Sequence, residues 1–97
     1  MEKVIAVVVT YNRSMLLAEC INALRNQTHK PDAILVVNNG STDTTEEWLQ
    51  SQENILFISQ KNIGSGGGFN TGINWAFKHN FTWYGAWMMM GTPKKMR

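Results

Sequence analysis

The feature that most constrains this chain is the alternation of short β-branched runs with helical stripes. Val4-Ile5-Ala6-Val7-Val8-Val9 is an unbroken apolar run, and a run without polar alternation suits a strand covered on both faces. At six residues it is far too short to cross a bilayer, and Thr10-Tyr11-Asn12 ends it. Leu16, Leu17, Cys20, Ile21 and Leu24 then recur at helical spacing, with Ser14 as a candidate cap. Pro31 closes that helix near Gln27-Thr28. Ala33 to Val37 predicts a second buried strand, stopped by the turn cluster Asn38-Asn39-Gly40. A short helix capped by Ser41 or Thr42 follows, with Asp43, Glu46 and Glu47 near its positive end and Trp48 and Leu49 buried. Ile55 to Ile58 predicts a third strand. Asn62 to Gly68 reads as a flexible or sharply bent loop, and Phe69 to His79 as a third helix with Phe69, Ile73, Ala76 and Phe77 on one side.

Strand, helix, strand, helix, strand, loop, helix predicts an α/β layer architecture with a parallel sheet and right-handed crossovers. Ligands of such sheets bind beyond the carboxyl ends of the strands. Thr10-Tyr11-Asn12-Arg13, Asn38-Asn39-Gly40-Ser41 and the Gln60 to Gly68 segment therefore share one rim, and chemistry belongs there.

Size and charge narrow the options. At 97 residues the chain forms one small domain at most. A formal charge of +2, with Lys94, Lys95 and Arg97 in the tail, is too weak for a nucleic-acid stripe. The single Cys20 excludes an internal disulfide or a thiolate metal cluster. With no signal-peptide pattern at the start, the expected setting is the cytoplasm or the inner face of the membrane. His29 and His79 have no partner at metal-ligand or triad spacing and read as surface residues.

The glycine run Gly64-Ser65-Gly66-Gly67-Gly68-Phe69 fails the dinucleotide fingerprint, because Phe69 stands where the third glycine belongs and because it follows the third strand. No P-loop pattern is present. Backbone amides at a helix start are nonetheless suited to phosphate or a sugar hydroxyl. Tyr11 and Asn12 offer an aromatic face and an amide edge, which a nucleobase uses for stacking and paired hydrogen bonds. Arg13 supplies a cation for phosphate.

Taken in order, Val7 through Arg13, Leu16 through Ile21, Gln27-Thr28, Pro31, Ile34 through Asp43, and Asn62-Ile63-Gly64 through Gly67-Gly68-Phe69-Asn70-Thr71-Gly72 resemble the start of family-two glycosyltransferases. The most similar branch holds bacterial galactofuranosyl- and rhamnosyltransferases, and the resemblance covers about residues 3 to 84. It implies a GT-A fold, of which this chain is a Rossmann-like three-layer α/β/α half. It also implies a UDP- or dTDP-linked sugar donor and a glycan or lipid-linked acceptor. The residues it places around the donor are Thr10, Tyr11, Asn12, Arg13, Asn38, Asn39, Ser41, Asn62, Gly67, Gly68 and Asn70. Asn38 stands where the family usually has an aspartate facing the uracil or thymine edge, so base preference is expected to differ.

The resemblance further implies an Asp-rich motif that holds Mg²⁺ or Mn²⁺ on the diphosphate, and a carboxylate base beyond it. Here Met88, Met89 and Met90 occupy the expected Asp positions, and thioethers do not suit a hard cation. Trp and Met each have a single codon, so Trp87 to Met90 fixes TGG ATG ATG ATG, with GG opening Gly91. Regrouped from the third base, this reads GAT GAT GAT GGG, or Asp-Asp-Asp-Gly. The expectation is a base lost near the Tyr84 codon, leaving Gly85 to Arg97 out of frame and poorly packed, in a truncated chain that transfers no sugar. The alternatives are a non-catalytic nucleotide-binding module and a small structural or interaction domain.

Overall fold

The structure is a computed structural model that describes residues 3–12, 14–28, 30–61 and 64–89. Its elements are β1 (Val4–Thr10), α1 (Ser14–Arg25), β2 (Ala33–Asn39), α2 (Thr45–Gln50), β3 (Leu56–Gln60), α3 (Gly64–Lys78) and β4 (Thr82–Met89). The four strands form one sheet in the order β3-β2-β1-β4, and every neighbouring pair is parallel. This is a three-layer α/β/α architecture with a fully parallel sheet.

Successive β1 residues point to opposite faces, and each face has its own helices. Ala6 and Val8 join Ile34 and Val36 beneath Leu17, Ile21 and Leu24 of α1 and Leu49 of α2. Ile5 and Val7 join Leu35 beneath Ala76 of α3, with Phe69, Trp75 and Phe81 at the margin. The chain walks outward from β1 to β2 to β3 with its helices on one face. It then returns across the sheet to β4 with α3 on the other face. A reversal of direction with a change of face keeps the crossover hand constant.

Several boundaries differ from expectation, for physical reasons. β2 does not stop at Val37: Asn38 and Asn39 continue the ladder opposite Ser59 and Gln60, and both are buried. α2 starts at Thr45 rather than next to Ser41 or Thr42, and its N-cap residue, Thr44, makes no side-chain cap hydrogen bond. Asp43 thus precedes the helix, where its Oδ1 accepts from the Thr45 backbone N–H (3.0 Å) and hydroxyl. Trp48 is only partly buried, whereas Leu49 is in the core.

The largest correction concerns the glycine run, which is not a loop. Gly64 enters at φ 85°, and Gly66, Gly67 and Gly68 already belong to α3. The packed stripe is also displaced: Gly68, Gly72 and Ala76 face the sheet, while Ile73 is exposed and Phe77 is 81% exposed. A Cβ on Gly68 would lie 2.7 Å from Val9 Cγ1, and one on Gly72 would press harder on Val7 Cγ1. The missing side chains let α3 lie directly on β1, which overrides the weak helix propensity of glycine.

β4 was not anticipated as a full strand. The backbone of Gly85 to Met89 runs alongside β1, with Ala6 opposite Gly85, Val9 opposite Met88 and Thr10 opposite Met89. A register shift between Ile5 and Ala6 leaves Tyr84 as the extra residue of a bulge. An apolar segment beside the open edge of β1 meets the pairing requirement of a parallel ladder whatever its coding origin. Residues 90–97 lie outside the described residues.

Candidate functional site

The site is the edge of the sheet where β1, β2 and β3 end. The strand order reverses between β1 and β4, and open α/β sheets bind ligands beyond the carboxyl ends at such a reversal. β1 is therefore central: Thr10, its last residue, lies between Asn38 of β2 and Met89 of β4.

Strand alternation splits the edge into two rows. Thr10 and Asn38 are register partners on the α1–α2 face, and both are buried. The Asn38 Oδ1 accepts from the Ser41 N–H at 3.3 Å, closing a tight turn through Gly40 (φ 84°). The Thr10 hydroxyl is fully buried and has no hydrogen-bond partner among the described residues. An orphaned buried hydroxyl is costly.

Asn12 joins the first two loops. It adopts left-handed backbone (φ 51°), which asparagine tolerates better than most residues. Its N–H donates to Ser41 Oγ at 2.9 Å. Its Oδ1 accepts from the Thr42 N–H at 2.7 Å and the Asp43 N–H at 3.1 Å, and its Nδ2 donates to Thr42 Oγ1 at 3.3 Å. The side chain that sequence reasoning assigned to a base edge is engaged by the neighbouring loop at both its oxygen and its nitrogen. Tyr11, beside it, is half-buried.

The second row faces α3. Asn39 is fully buried, donating from Nδ2 to the Gly64 carbonyl at 3.0 Å and accepting at Oδ1 from Gln60 Nε2 at 3.1 Å. Thr71 Oγ1 lies 3.0 Å from both Gln60 Oε1 and the Gly67 carbonyl. This network ties the ends of β2 and β3 to the first turns of α3. By sequence, Gln60 belongs to the rim and Thr71 to the glycine-rich motif, and neither stands out as a binding residue. A polar residue ending a strand, followed by a threonine about two turns beyond a helix start, is too common a pattern to single them out. Gly67 is half-buried in the first turns of α3, Gly68 is buried against Val9, and Asn70 is exposed. Arg13, Asn62, His29 and Met90 lie outside the described residues. His79 is exposed and stacks on Trp75, with ring centroids 3.9 Å apart.

The family-two glycosyl transferase model matches residues 5–86. The chain belongs to glycosyl transferase family 2. The matched span runs from β1 into β4 and so contains all three loops of the site. It is similar to the glycosyltransferase GlyA of Streptococcus pneumoniae, 36% identical over 77 residues, which are 75% of this chain and 11% of that protein. It is also similar to a galactofuranosyltransferase of Mycolicibacterium smegmatis, 36% identical over 84 residues, covering 84% of this chain and 28% of that protein. A chondroitin synthase of Escherichia coli is 36% identical over 67 residues, 65% of this chain and 10% of the relative. The chain thus spans from a tenth to just over a quarter of the length of these relatives. The parallel three-layer sheet is the Rossmann-like half of the GT-A fold, and the family match makes the chain a glycosyltransferase relative.

Among the described residues, no helix is long and apolar enough to cross a membrane. The donor set at the end of β4 does not fit a divalent cation of the Mg²⁺ type. Met88 and Met89 pair with Val9 and Thr10 at the rim, and a thioether is a soft, neutral ligand where such ions take charged or carbonyl oxygen.

Proposed function

We propose that this chain carries the donor-nucleotide half of a glycosyltransferase fold whose intact relatives would move a sugar from a UDP- or dTDP-linked donor to a glycan or lipid-linked acceptor with inversion. The observation that carries the reading is the convergence of three strand-end loops beside the reversal of strand order, with the orphaned Thr10 hydroxyl buried among them. Tyr11 provides the face for the base, Asn38 an amide at the base edge, and Ser41 a position at the adjoining turn. Gly67, Gly68 and Asn70 border the ribose and diphosphate, where the first turn of α3 turns backbone N–H groups and the positive end of its dipole outward. Arg13 and Asn62 belong to the same proposal on sequence grounds alone.

Transfer needs a base for the acceptor hydroxyl and a counter-charge for the departing nucleoside diphosphate. Relatives of this family meet the second need with Mg²⁺ or Mn²⁺, for which Met88 to Met90 are the wrong ligands. We therefore expect this polypeptide to bind nucleotide weakly, without metal, and to transfer no sugar. The codon pattern from Trp87 to Gly91 supports a reading of Gly85 onward as out of frame, which sequencing of the locus in all three frames decides. Early stop codons in the shifted frame would end that idea.

Titration calorimetry with UDP, dTDP, ADP and GDP, each with and without Mg²⁺, tests the binding. Saturable, metal-independent binding of UDP or dTDP is the expected result. A cooperative melt insensitive to all four nucleotides, with no binding heat, would instead support a structural or interaction domain.

A further inference from the structure

We propose that Asn12 is a positioning residue, whose amide latches the β1–α1 loop onto the β2–α2 loop and does not itself read the base. This rests on the nucleotide-binding reading above and reassigns one of its residues. The amide orientation is set by its neighbours: two backbone N–H groups, of Thr42 and Asp43, converge on Oδ1, a position only the oxygen can fill. The partners lie 30 and 31 residues away in the chain, so the latch is tertiary. A third bond, from the Asn12 N–H to Ser41 Oγ, holds the backbone of the same residue to the same loop.

The consequence is geometric. Tyr11 immediately precedes Asn12, and Ser41, which anchors Asn38 Oδ1, immediately precedes Thr42. Fixing Asn12 to Ser41, Thr42 and Asp43 fixes the spacing between the aromatic face and the Asn38 amide. It also holds Asp43, whose carboxylate engages Thr45 at the start of α2. A base that is to be stacked and edge-paired at once needs that spacing set beforehand.

Two variants separate a latch from a direct contact. Asn12→Asp keeps an oxygen acceptor for both backbone N–H groups and tolerates the left-handed backbone, but loses the Nδ2 donor. Asn12→Gly keeps the backbone conformation and loses the whole side chain. Hydrogen exchange of the Thr42 and Asp43 amides, followed by NMR, reads the latch without any nucleotide. Affinity for UDP, and for uridine to remove repulsion between a new carboxylate and the diphosphate, reads its consequence.

The expected pattern is slow exchange at both amides in the parent and Asn12→Asp, and fast exchange in Asn12→Gly. Uridine affinity should be kept within about threefold in Asn12→Asp and fall about tenfold or more in Asn12→Gly, the loss of one to two net hydrogen bonds. Equal weakening by both variants would overturn the proposal in favour of a direct base contact. Unchanged amide exchange in Asn12→Gly would overturn it outright. If the parent binds neither UDP nor uridine, the nucleotide-binding reading fails, while the exchange data still decide whether the latch exists.

Discussion

Replacing Gly72 with alanine sets two physical effects against each other, and the structure decides between them. In an exposed helix interior, Gly→Ala stabilises by about 0.8–1.0 kcal/mol through propensity. At position 72 the added methyl would meet Val7 Cγ1 closer than real Cβ atoms come, with Val37 Cγ2 at 3.4 Å behind it. Val7 is fully buried on the central strand, held by β2 on one side and β4 on the other, so it has nowhere to retreat. Overpacking of this kind costs about 1–3 kcal/mol. The net expectation is destabilisation of up to about 2 kcal/mol, because the packing term exceeds the propensity gain. Gly66 is the internal control: it lies in the same helix, and a Cβ there meets nothing within 4 Å. Gly66→Ala should therefore stabilise by at most about 1 kcal/mol. Thermal melts followed by far-UV circular dichroism compare the two. With about 4–8 °C per kcal/mol for a domain of this size, Gly72→Ala should melt roughly 5–20 °C below Gly66→Ala. A Gly72→Ala protein that melts level with or above Gly66→Ala would refute the close approach of α3 to β1.

Two further outcomes follow from the same edge and core. Thr10→Val exchanges a buried hydroxyl without a partner among the described residues for an isosteric methyl, so stability should hold or rise by up to about 1 kcal/mol in urea unfolding. The same variant should bind UDP more weakly by calorimetry, and a loss of stability with unchanged affinity would show that the hydroxyl has a structural partner instead. Burial raises the Cys20 thiol above its ordinary value by desolvation. Folding thus favours the neutral thiol, a contribution present below the ordinary thiol pKa and lost as pH climbs through the raised one. Iodoacetamide labelling of folded protein should rise at higher pH than labelling of free cysteine, and a midpoint at or below that of free cysteine would contradict the burial.

Much of this fold was legible because buried strands and amphipathic helices write their periods into local sequence. Val4 to Val9 and Ala33 to Val37 are strands in the structure, and Leu17, Ile21 and Leu24 are the buried stripe of α1. Their alternation sufficed to put three loops at one end of a parallel sheet, and the ordered motifs sufficed for the family. Where the structure departs from the local pattern, the cause is a partner distant in the chain. Glycines look like a loop to any local rule, yet Gly66 to Gly68 are helical because α3 lies against Val7 and Val9. Phe77 has the right spacing for a core residue, but the narrow Gly68–Gly72–Ala76 stripe turns it to solvent.

The division at the site follows the same physics. Residue types and strand ends, both local properties, were enough to nominate Thr10, Tyr11, Asn38 and the start of α3. Which strand is central, and which amides are already spoken for, depends on hydrogen bonds between segments 21 to 31 residues apart. Asn12 and Asn39 look in sequence like recognition groups. In the folded protein, Thr42 and Asp43 hold the half-buried Asn12, while Gln60 and Gly64 hold Asn39, whose fully buried amide must be paired, and all four partners belong to other segments.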